Sequence, residues 1–319
     1  MTLTFSIAGV GGYVANRHLK AIRDVGGELV AALDPHDAVG ILDSYFPGAR
    51  FFTEFERFDR YLEKLRRQGP GAKIQYMSIC SPNYLHDAHV RAALRVDADA
   101  ICEKPLVLNP WNLDALADLE TEYGRRVFTV LQLREHPAIR KIRETFQQRR
   151  DRRHQVCLTY ITSRGNWYLT SWKGDVNRSG GLATNIGIHL FVMLAWIFGK
   201  PARSEVHLAT PQKTAGFLEL ANADVQWYLS IDAADLPAEV RGKGQRMFRS
   251  ITIDGEEVEF SEVFADLHTQ VYRSILAGQG NGINEARPSI ELAHQIRNAP
   301  ATGASENAHP LLKVPATRK

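Results

Sequence analysis

The stretch LTFSIAGVGGYVA, residues 3–15, places a glycine cluster directly after a short, nearly continuous apolar run. A strand, a glycine turn and a helical pattern in this order are typical of a dinucleotide-binding loop. Glycine there permits both the tight turn and the close approach of the backbone to a pyrophosphate. Gly9 and Gly11 take these two positions, and Val14 stands where a third glycine is usual. Taken alone, the motif also fits an ordinary glycine turn.

The second apolar run, ELVAALD (28–34), strengthens the dinucleotide interpretation because it ends in an acid. Asp34 lies about 20 residues beyond the loop, where a carboxylate can accept hydrogen bonds from both ribose hydroxyls. No arginine follows in PHDAVG (35–40) to hold a 2′-phosphate, so we predict NAD rather than NADP. The predicted cofactor contacts of this region are Gly9, Gly11, Gly12, Tyr13, Val14 and Asp34.

Short apolar runs alternate with helical periods over the first 133 residues. The further runs are KIQYMSIC (73–80), AICEK (100–104) and VFTVLQL (127–133). Strands with nearly continuous apolar character are typical of a sheet that is covered on both faces. We therefore predict a doubly wound parallel sheet of the Rossmann type in an α/β protein.

The second half of the chain has a different pattern, in which strands follow one another with few helices between them. These runs are VCLTYITS (156–163), SEVHLA (204–209), GFLELA (216–221), VQWYLSI (225–231) and MFRSITI (247–253), and Asp254-Gly255 before EEVEF is a hairpin signal. They predict an α+β domain with an open, mostly antiparallel sheet. Helical patterns at 180–198 and 262–277 would cover one face, and the other face would invite pairing with a second subunit.

These patterns predict three regions. Residues 1–133 would form an NAD-binding domain, residues 134–299 a substrate-binding and oligomerisation domain, and residues 300–319 a flexible tail rich in Ala, Pro and polar residues. The basic run IRKIRETFQQRRDRR (139–153), which follows Pro137, is interpreted as a solvated helix face.

Composition narrows the class of protein. The 39 basic and 36 acidic residues are too evenly balanced to indicate a nucleic-acid or membrane surface. No apolar stretch of about 18 residues predicts a membrane span, and the first residues lack the basic segment of a signal peptide. The three cysteines, Cys80, Cys102 and Cys157, are interpreted as reduced core thiols. We therefore expect a cytoplasmic protein.

Two polar segments follow strands at the edge where an open α/β sheet carries its ligand. SPNYLH (81–86) would shape the nicotinamide-ribose side of the crevice, and Glu103 and Lys104 would point into it. His86 and His89 also permit a metal interpretation, but no carboxylate or cysteine stands at a sensible spacing, so a polar cluster at a helix start is preferred. No metal site is predicted.

The glycine loop, the strand-end acid and Glu103-Lys104-Pro105, in this order, resemble the glucose-fructose oxidoreductase and inositol dehydrogenase family. The resemblance implies that Lys104 lies beside the reacting hydroxyl and the nicotinamide, and that the Lys104-Pro105 peptide is cis. Gln132, Arg134 and Pro137 match a family pattern that usually begins with asparagine.

Two further matches lie in the second half of the chain. Trp172-Lys173 is similar to a tryptophan-basic pair, and GGLATNIGIH (180–189) is similar to a family signature with Asn185 in place of aspartate. Asn185 and His189 are four residues apart, so they share one helix face whatever the family. A helical histidine is often an ordinary core residue, but this one shares its face with a second polar group.

One branch of the family, the bacterial UDP-N-acetylglucosaminuronate 3-dehydrogenases of O-antigen synthesis, is similar over nearly the whole chain. The matching stretches are GYVANRHLKAI (12–22), SPNYLH (81–86), EKPLVLNPWNLDAL (103–116), NIGIHLF (185–191) and DLHTQVYRSILAGQGNGINEARPSIEL (266–292). In this branch asparagine is normal at position 185, whereas Val192 departs from a common family aspartate. The resemblance implies a UDP-sugar uronate substrate, 2-oxoglutarate as a co-substrate that reoxidises the bound cofactor, and a homotetramer. The residues alone leave open the alternative that NADH is simply released.

The predicted mechanism removes a hydride from C3 of the sugar, with His189 as general base and Lys104 steadying the alkoxide. Further cofactor contacts are assigned to Ser81, Pro82, Asn83, His86, Glu103, Lys104, Gln132 and Trp172. Substrate contacts are assigned to Lys104, Arg134, Tyr160, Arg164, Lys173, Asn185 and His189. A relative acting on a free sugar, an inositol or another nucleotide sugar fits the same residues, and a nonenzymatic NAD-binding regulator fits the loop alone.

Overall fold

The computed structural model of the protein describes residues 2–37, 39–148, 152–258 and 266–313. The chain forms two compact units, one made of residues 1–135 and 265–287 and the other of residues 136–264 and 288–319. We predicted an uninterrupted second domain over 134–299. The structure differs, because the segment 265–287 returns to the first unit.

Strands and helices are numbered in chain order. The strands are β1 Thr4–Ala8, β2 Glu28–Leu33, β3 Arg50–Phe52, β4 Tyr76–Ile79, β5 Asp99–Cys102, β6 Val127–Thr129, β7 His154–Thr162, β8 Pro201–Ala209, β9 Lys213–Leu220, β10 Ala223–Ser230, β11 Met247–Ile253 and β12 Glu256–Glu257. The helices are α1 Ala15–Asp24, α2 Val39–Tyr45, α3 Phe55–Arg67, α4 His86–Arg95, α5 Trp111–Tyr123, α6 Pro137–Gln147, α7 Trp167–Thr170, α8 Val176–Ser179, α9 Ile188–Phe198, α10 Ala238–Gly242, α11 Leu267–Leu276, α12 Ile283–Asn298 and α13 Pro310–Lys313.

The first unit contains a parallel sheet with the strand order β3-β2-β1-β4-β5-β6. Its inner strands are buried almost throughout, which explains their apolar sequences. The order reverses between β1 and β4, so the loops that follow these two strands flank the crevice where such sheets bind ligands. The predicted Rossmann-type sheet is confirmed.

The edge strand β3 was absent from the sequence prediction. Its sequence, Arg-Phe-Phe, pairs with residues 31–33 of β2 and is only three residues long. Such a short run with a charged first residue carries no periodicity that distinguishes it from a loop.

Helix α11 packs in the first unit, where Val271, Tyr272 and Ile275 share a buried core with Leu19 and Ile22 of α1. Our prediction that the pattern 262–277 covers the second sheet is therefore wrong for the described part of that pattern. The apolar face of α11 is complementary to α1, and periodicity alone does not identify the surface against which a helix packs. Residues 262–265 lie outside the described residues.

The second unit contains a mixed sheet with the order β12-β11-β7-β10-β9-β8, in which β7 and β10 are parallel and the other neighbours antiparallel. This confirms the predicted, mostly antiparallel α+β architecture. The hairpin between β11 and β12 turns at Asp254 and Gly255, both with positive φ, as predicted. Residues 259 and 260 of the predicted EEVEF strand lie outside the described residues.

One face of this sheet is covered by α9, where Phe191 packs edge-on against the fully buried Trp227 of β10. The helical stretch Val176–Phe198 is long and apolar enough to cross a membrane, but 67% of its most apolar window is buried within the protein. The expectation that no apolar stretch of this length occurs is therefore wrong, and the burial of this stretch makes it the core helix of the unit. Cys80 and Cys102 are buried free thiols, and Cys157 is a partly buried one.

The predicted flexible tail is ordered as far as residue 313. Thr302 donates a backbone hydrogen bond to Val206 of β8, and Ala308 and His309 are buried. Leu312 packs against a core cluster that includes Leu236. The prediction failed because a few well-placed buried side chains anchor a segment of otherwise polar composition; residues 314–319 lie outside the described residues.

Candidate active site

The loop after β1 lies tightly against the end of β4. Gly9 has φ +86°, and a Cβ atom there would lie 2.6 Å from the Ser81 nitrogen. Its N–H donates to the Leu33 carbonyl at 2.7 Å. Glycine is therefore required at this position by both the turn and the close approach of two backbones. Val14, in the third glycine position, packs partly buried against the core, while the Tyr13 side chain is 87% exposed.

Asp34 organises this loop. One carboxylate oxygen accepts from the Gly11 N–H at 2.9 Å and the other accepts from the His36 N–H at 3.0 Å. A carboxylate has about four acceptor positions, so both oxygens retain capacity for hydroxyl donors. The predicted acid is thus in place at the end of β2, and the Gly11 N–H is already directed to it.

The SPNYLH segment forms an interlocked turn after β4. The Ser81 hydroxyl lies 2.9 Å from Nδ1 of His89, and Asn83 is buried. His86 is also buried, with Nδ1 2.6 Å from the Pro105 carbonyl and Nε2 2.8 Å from the Ser81 carbonyl. Burial lowers the pKa of His86 despite these two acceptors.

Both ring nitrogens of His86 face carbonyl groups of the protein, so its side chain joins the turn after β4 to the turn after β5. The cofactor contact assigned to His86 stays a prediction. His89, which points to Ser81, has a pKa that burial lowers to about 4. The two histidines therefore serve separate protein partners, which does not support the metal interpretation of this pair.

Lys104 follows β5 at the same edge of the sheet, and its side chain is partly buried. The Lys104-Pro105 peptide is cis, which confirms what the family resemblance implied. The Lys104 N–H donates to Oε2 of Glu103 at 3.2 Å. The predicted lysine thus lies at the carboxyl edge of the parallel sheet.

Glu103 does not point into a crevice as predicted. Its side chain is buried, and Oε1 accepts from Nε2 of His18 at 3.0 Å and from Nε2 of His268 at 2.9 Å. Burial opposes ionisation, but these hydrogen bonds outweigh it and hold the pKa of Glu103 well below its usual range. The carboxylate is hydrogen-bonded inside the protein, and the cofactor contact assigned to Glu103 stays a prediction.

The 3-10 turn Gln132–Glu135 follows β6. The buried Oε1 of Gln132 has no hydrogen-bond partner within the part of the chain that the structure describes. An unsatisfied buried acceptor is costly and fits a site that a donor-bearing ligand completes. Arg134 donates to Oδ1 of Asn281 at 2.9 Å and to the Glu285 carbonyl at 3.3 Å. This contact holds the returning segment, and substrate binding by Arg134 stays a prediction.

In the second unit, Asn185 lies in a π-helical turn, Ala183–Gly187, that leads directly into α9. Such turns are frequent at functional sites. The Asn185 amide donates to the Tyr168 hydroxyl at 2.7 Å. Asn185 and His189 are both partly exposed, whereas Gly187, Ile188 and Leu190 are buried; this is consistent with the shared face that we predicted.

Gly187 allows this helix to lie close to the sheet. A Cβ atom there would lie 2.6 Å from Leu229 of β10 and 2.9 Å from the Phe191 ring. The glycine of the Asn-Ile-Gly-Ile-His pattern therefore lets the helix approach β10 while the Leu229 and Phe191 side chains keep their positions.

Lys173 lies among aromatic rings. Its ammonium is 4.4 Å from the Trp172 ring centre and 5.6 Å from that of Trp167. Burial, and then the charge of Arg164, lowers the pKa of Lys173. No carboxylate pairs with either cation within the described residues, so the electrostatics favour an anionic ligand.

Trp172 belongs to this aromatic group, and the Lys173 ammonium lies over its ring. Direct cofactor contact by Trp172 stays a prediction. Tyr160 lies on β7, where Arg249 stacks over its ring at 5.4 Å and its hydroxyl faces Met247. These contacts give Tyr160 a packing role, and its substrate contact is likewise untested.

Sequence reasoning missed the buried partners of Glu103. His18 lies on α1, and His268 and Tyr272 lie on α11. The signal was a polar side chain on the buried face of each helix, with His268 and Tyr272 four residues apart. Their partners could not be inferred without knowing that α11 returns to the first unit.

Solved structures show extensive similarity to this chain. The WlbA (WbpB) dehydrogenase from Thermus thermophilus is 53% identical and aligns over 98% of this chain and 100% of that one. Its structure with NAD and alpha-ketoglutarate gives a TM-score of 0.94, and that with NAD and UDP-GlcNAcA gives 0.93. The WlbA dehydrogenase from Bordetella pertussis, at 20% identity and a TM-score of 0.74 over 92% of this chain and 94% of that one, shows the fold alone.

Curated relatives are more distant. The D-glucoside 3-dehydrogenase of Escherichia coli (strain K12) is 25% identical over 144 residues, or 44% of this chain. The alignments to three curated relatives, this enzyme among them, cover 47%, 40% and 36% of the relatives' own lengths. The chain therefore matches less than half of each of these three proteins.

Two family descriptions match the chain along most of its length. Residues 3–131 match the oxidoreductase family, NAD-binding Rossmann fold, and residues 154–308 match its C-terminal alpha/beta domain. The glycine loop, Asp34 and the Lys104-Pro105 turn all lie within the first match. The chain therefore belongs to the GFO_IDH_MocA oxidoreductase family.

Proposed function

We propose that this protein is an NAD-dependent dehydrogenase that oxidises the C3 hydroxyl of UDP-N-acetylglucosaminuronate to the 3-keto sugar. The observation that carries the proposal is the 53% identity, over 98% of the chain, to a dehydrogenase solved with NAD and UDP-GlcNAcA. Relatives near 20% identity share the fold without indicating the substrate. Lys104 at the sheet edge, together with Asn185 and His189 around the start of α9, supplies the reactive groups.

The first unit fits NAD. Asp34 has acceptor capacity for ribose hydroxyls, and Gly11, Tyr13 and Asn16 around the start of α1 are exposed. The buried Oε1 of Gln132 has no hydrogen-bond partner among the described residues. When bound, NAD supplies a nicotinamide ring that accepts a hydride from the carbon being oxidised. The residues proposed to hold it are Gly9, Gly11, Asp34, Asn83 and Gln132.

Side chains of the protein accept the proton of the C3 hydroxyl and stabilise the oxygen that it leaves. The C3 hydroxyl loses its proton to the imidazole of His189, which becomes an imidazolium, and the C–H bonding pair leaves as the hydride. Lys104 donates a hydrogen bond to the same oxygen while alkoxide charge develops. Asn185 orients the sugar beside His189.

Lys173 and Arg164 are proposed to bind the negative charge of the substrate. The uronate and the diphosphate are anions, and both cations lack carboxylate partners within the described residues. Charge-assisted hydrogen bonds from such groups are strong. Trp172 holds the Lys173 ammonium in place through its ring face.

The second half-reaction is proposed to use 2-oxoglutarate. Its keto carbon would take the hydride back and its oxygen a proton, giving 2-hydroxyglutarate and regenerating NAD. A relative solved with NAD and alpha-ketoglutarate supports this proposal. We further propose a cytoplasmic homotetramer that acts in the synthesis of a 2,3-diamino sugar for O-antigen.

The structure changes one argument for the tetramer. We predicted an uncovered apolar sheet face, but Tyr228 on that face packs with Leu236, Val240 and Leu312 of the same chain. Farther along, Asp224 projects from β10 and pairs with Arg153. The proposal of a tetramer is therefore supported by the family resemblance and not by an uncovered apolar face of this sheet.

The test is turnover with matched substrates. Purified protein is incubated with 2-oxoglutarate and UDP-N-acetylglucosaminuronate, UDP-N-acetylglucosamine or UDP-glucuronate, and 2-hydroxyglutarate and keto sugar are quantified by mass spectrometry. The proposal expects product with the first substrate and little with the other two, which lack the carboxylate or the acetamido group. Equal turnover of all three, or NAD binding without any turnover, contradicts it.

A further inference from the structure

The first unit buries a hydrogen-bonded network of five polar side chains in its apolar core. Ser78 and Tyr272 lie 2.6 Å apart through their hydroxyls, and the Tyr272 hydroxyl is 2.8 Å from Nδ1 of His18. Nε2 of His18 and Nε2 of His268 both meet Oε1 of Glu103. All five residues are buried, and they come from β4, α1, α11 and the end of β5.

The chemistry of these groups fixes one consistent arrangement of protons. An ionised Glu103 only accepts, so both histidines carry hydrogen on Nε2. Burial lowers the pKa of His18, so His18 is neutral and its bare Nδ1 accepts from the Tyr272 hydroxyl. Burial also raises the pKa of Tyr272 well above its usual value, and Ser78 donates to it. In this arrangement each Nε2–H group and each hydroxyl of the five side chains meets an acceptor.

A buried carboxylate of this kind is an expensive way to stabilise a core, since well-packed apolar side chains commonly do so at least as well. The buried carboxylate can, however, fix the position of the main chain to which it is hydrogen-bonded. Oε2 of Glu103 accepts the Lys104 N–H at 3.2 Å. On the other side of Lys104, the Pro105 carbonyl lies 2.6 Å from His86. The main chain is therefore held on both sides of the lysine.

We propose that His18 and His268 are positioning residues for Lys104. They clamp the Glu103 carboxylate, which fixes the Lys104 main chain and so the point from which its ammonium reaches the substrate. The inference rests on the proposed function of Lys104. Helix α11, which returns to the first unit from a distant part of the chain, thereby contributes to the active site without touching substrate.

His18, Glu103 and His268 also have the composition of a metal site, with ligand atoms within 4.8 Å of one another. The hydrogen bonds of 2.9 and 3.0 Å to one carboxylate oxygen already account for this arrangement. No fourth histidine, cysteine or acid joins the group within the described residues. The clamp is therefore the interpretation that we test, and a metal is one of the results that would overturn it.

The experiment compares His268→Leu and His268→Gln with the wild-type protein. The leucine removes the N–H donor, whereas glutamine keeps a donor at similar reach. We expect kcat for UDP-N-acetylglucosaminuronate to fall about 10- to 100-fold in His268→Leu, because a displacement of about 1 Å costs up to about 100-fold. The KM values are expected to stay within about threefold, and His268→Gln to recover most of the rate.

Two measurements separate positioning from general damage. In a Lys104→Met background, His268→Leu is expected to cause no further loss of rate, because it acts through the lysine. Thr269→Val is the matched control, since Thr269 is buried on the same helix and bonds Asp24 rather than Glu103. Equal losses with and without Lys104, or an unchanged kcat in His268→Leu, would refute the clamp. So would a stoichiometric metal in the purified wild-type protein that His268→Leu loses.

Crystal structures of the NAD-bound variants keep this inference distinct from the proposed function. A shifted main chain at residues 103–105 in His268→Leu, with the wild-type position in His268→Gln, supports the clamp even if the wild-type enzyme fails to oxidise the proposed sugar. An unmoved main chain in His268→Leu rejects the clamp even if that sugar is oxidised.

Discussion

Glu103 shows how far a residue's position can be predicted from sequence and where prediction stops. The pattern correctly placed Glu103 and Lys104 at the end of a parallel strand. It did not show that Glu103 turns inward, because that depends on His18 and His268, which are about 85 and 165 residues away in the sequence. A local motif gives the location of a side chain, and its partners decide its role.

At the residue scale, Gly9 gives a direct test of the loop. Gly9→Ala places a Cβ atom 2.6 Å from the Ser81 backbone and forces alanine to a φ of +86°. We expect a loss of roughly 2–4 kcal/mol in the free energy of unfolding, measured by urea denaturation.

The control for that variant is Gly40→Ala. Gly40 lies in α2 and has no atom within 4 Å of the added Cβ position, so alanine should be neutral or stabilise by up to about 1 kcal/mol. Equal stability of Gly9→Ala and the wild-type protein would show that the loop does not approach β4 as described.

Lys173 is the residue for which charge predicts a pH effect. Burial, followed by the Arg164 charge, lowers the pKa of Lys173. The ammonium therefore loses its proton at a lower pH than an ordinary lysine does, and an anionic substrate then binds less well. We expect KM for the UDP-uronate to rise toward alkaline pH in the wild-type protein.

In Lys173→Gln, KM should be raised by about 10- to 100-fold at neutral pH, the range for one charged hydrogen bond. Its KM should also no longer depend on pH in that range, while kcat changes little. Lys64→Gln, on the exposed surface of α3, is the control. A KM for Lys173→Gln equal to that of the control would exclude Lys173 from the anion site.

At the scale of elements, periodicity predicted most strands and failed where tertiary contacts dominate. The inner strands of both sheets carry long apolar runs, so their sequences alone identify them. Strand β3 is too short for a period, and α11 could pack on either sheet by its pattern. The segment 300–313 has the composition of a disordered tail, yet Ala308 and His309 are buried.

His309 makes this docked segment sensitive to acid. Its Nδ1 accepts from the Leu311 N–H, so Nε2 donates to the Thr159 hydroxyl at 3.0 Å. Burial lowers its pKa from a usual 6.5 to about 4. The unfolded chain binds more protons between these values, so stability is lost as pH falls from 6.5 toward 4, by on the order of 2 kcal/mol near pH 5.

This effect is measured by urea denaturation at pH 7.5 and pH 5. His309→Gln should lose less stability than the wild-type protein between the two pH values, while the exposed His36→Gln should behave like the wild type. An identical loss in His309→Gln and the wild type would contradict the buried, neutral state of this ring.

At the scale of the whole molecule, the order of motifs predicted the fold and the family. The glycine loop, the strand-end acid and the Glu-Lys-Pro turn follow β1, β2 and β5 of the parallel sheet with the order β3-β2-β1-β4-β5-β6. The crossing of the chain back into the first unit was not predictable, because no local pattern encodes which unit a late helix joins. This crossing brings His268 of α11 to Glu103 and so connects α11 to Lys104.

The most direct test of the account is the rate of keto-sugar formation from UDP-N-acetylglucosaminuronate by the wild-type protein, Lys104→Met and His189→Gln, with NAD affinity measured on each. The account predicts that both variants still bind NAD and lose at least about 100-fold in kcat, the typical contribution of a positioned acid or base. Wild-type turnover by either variant would contradict it.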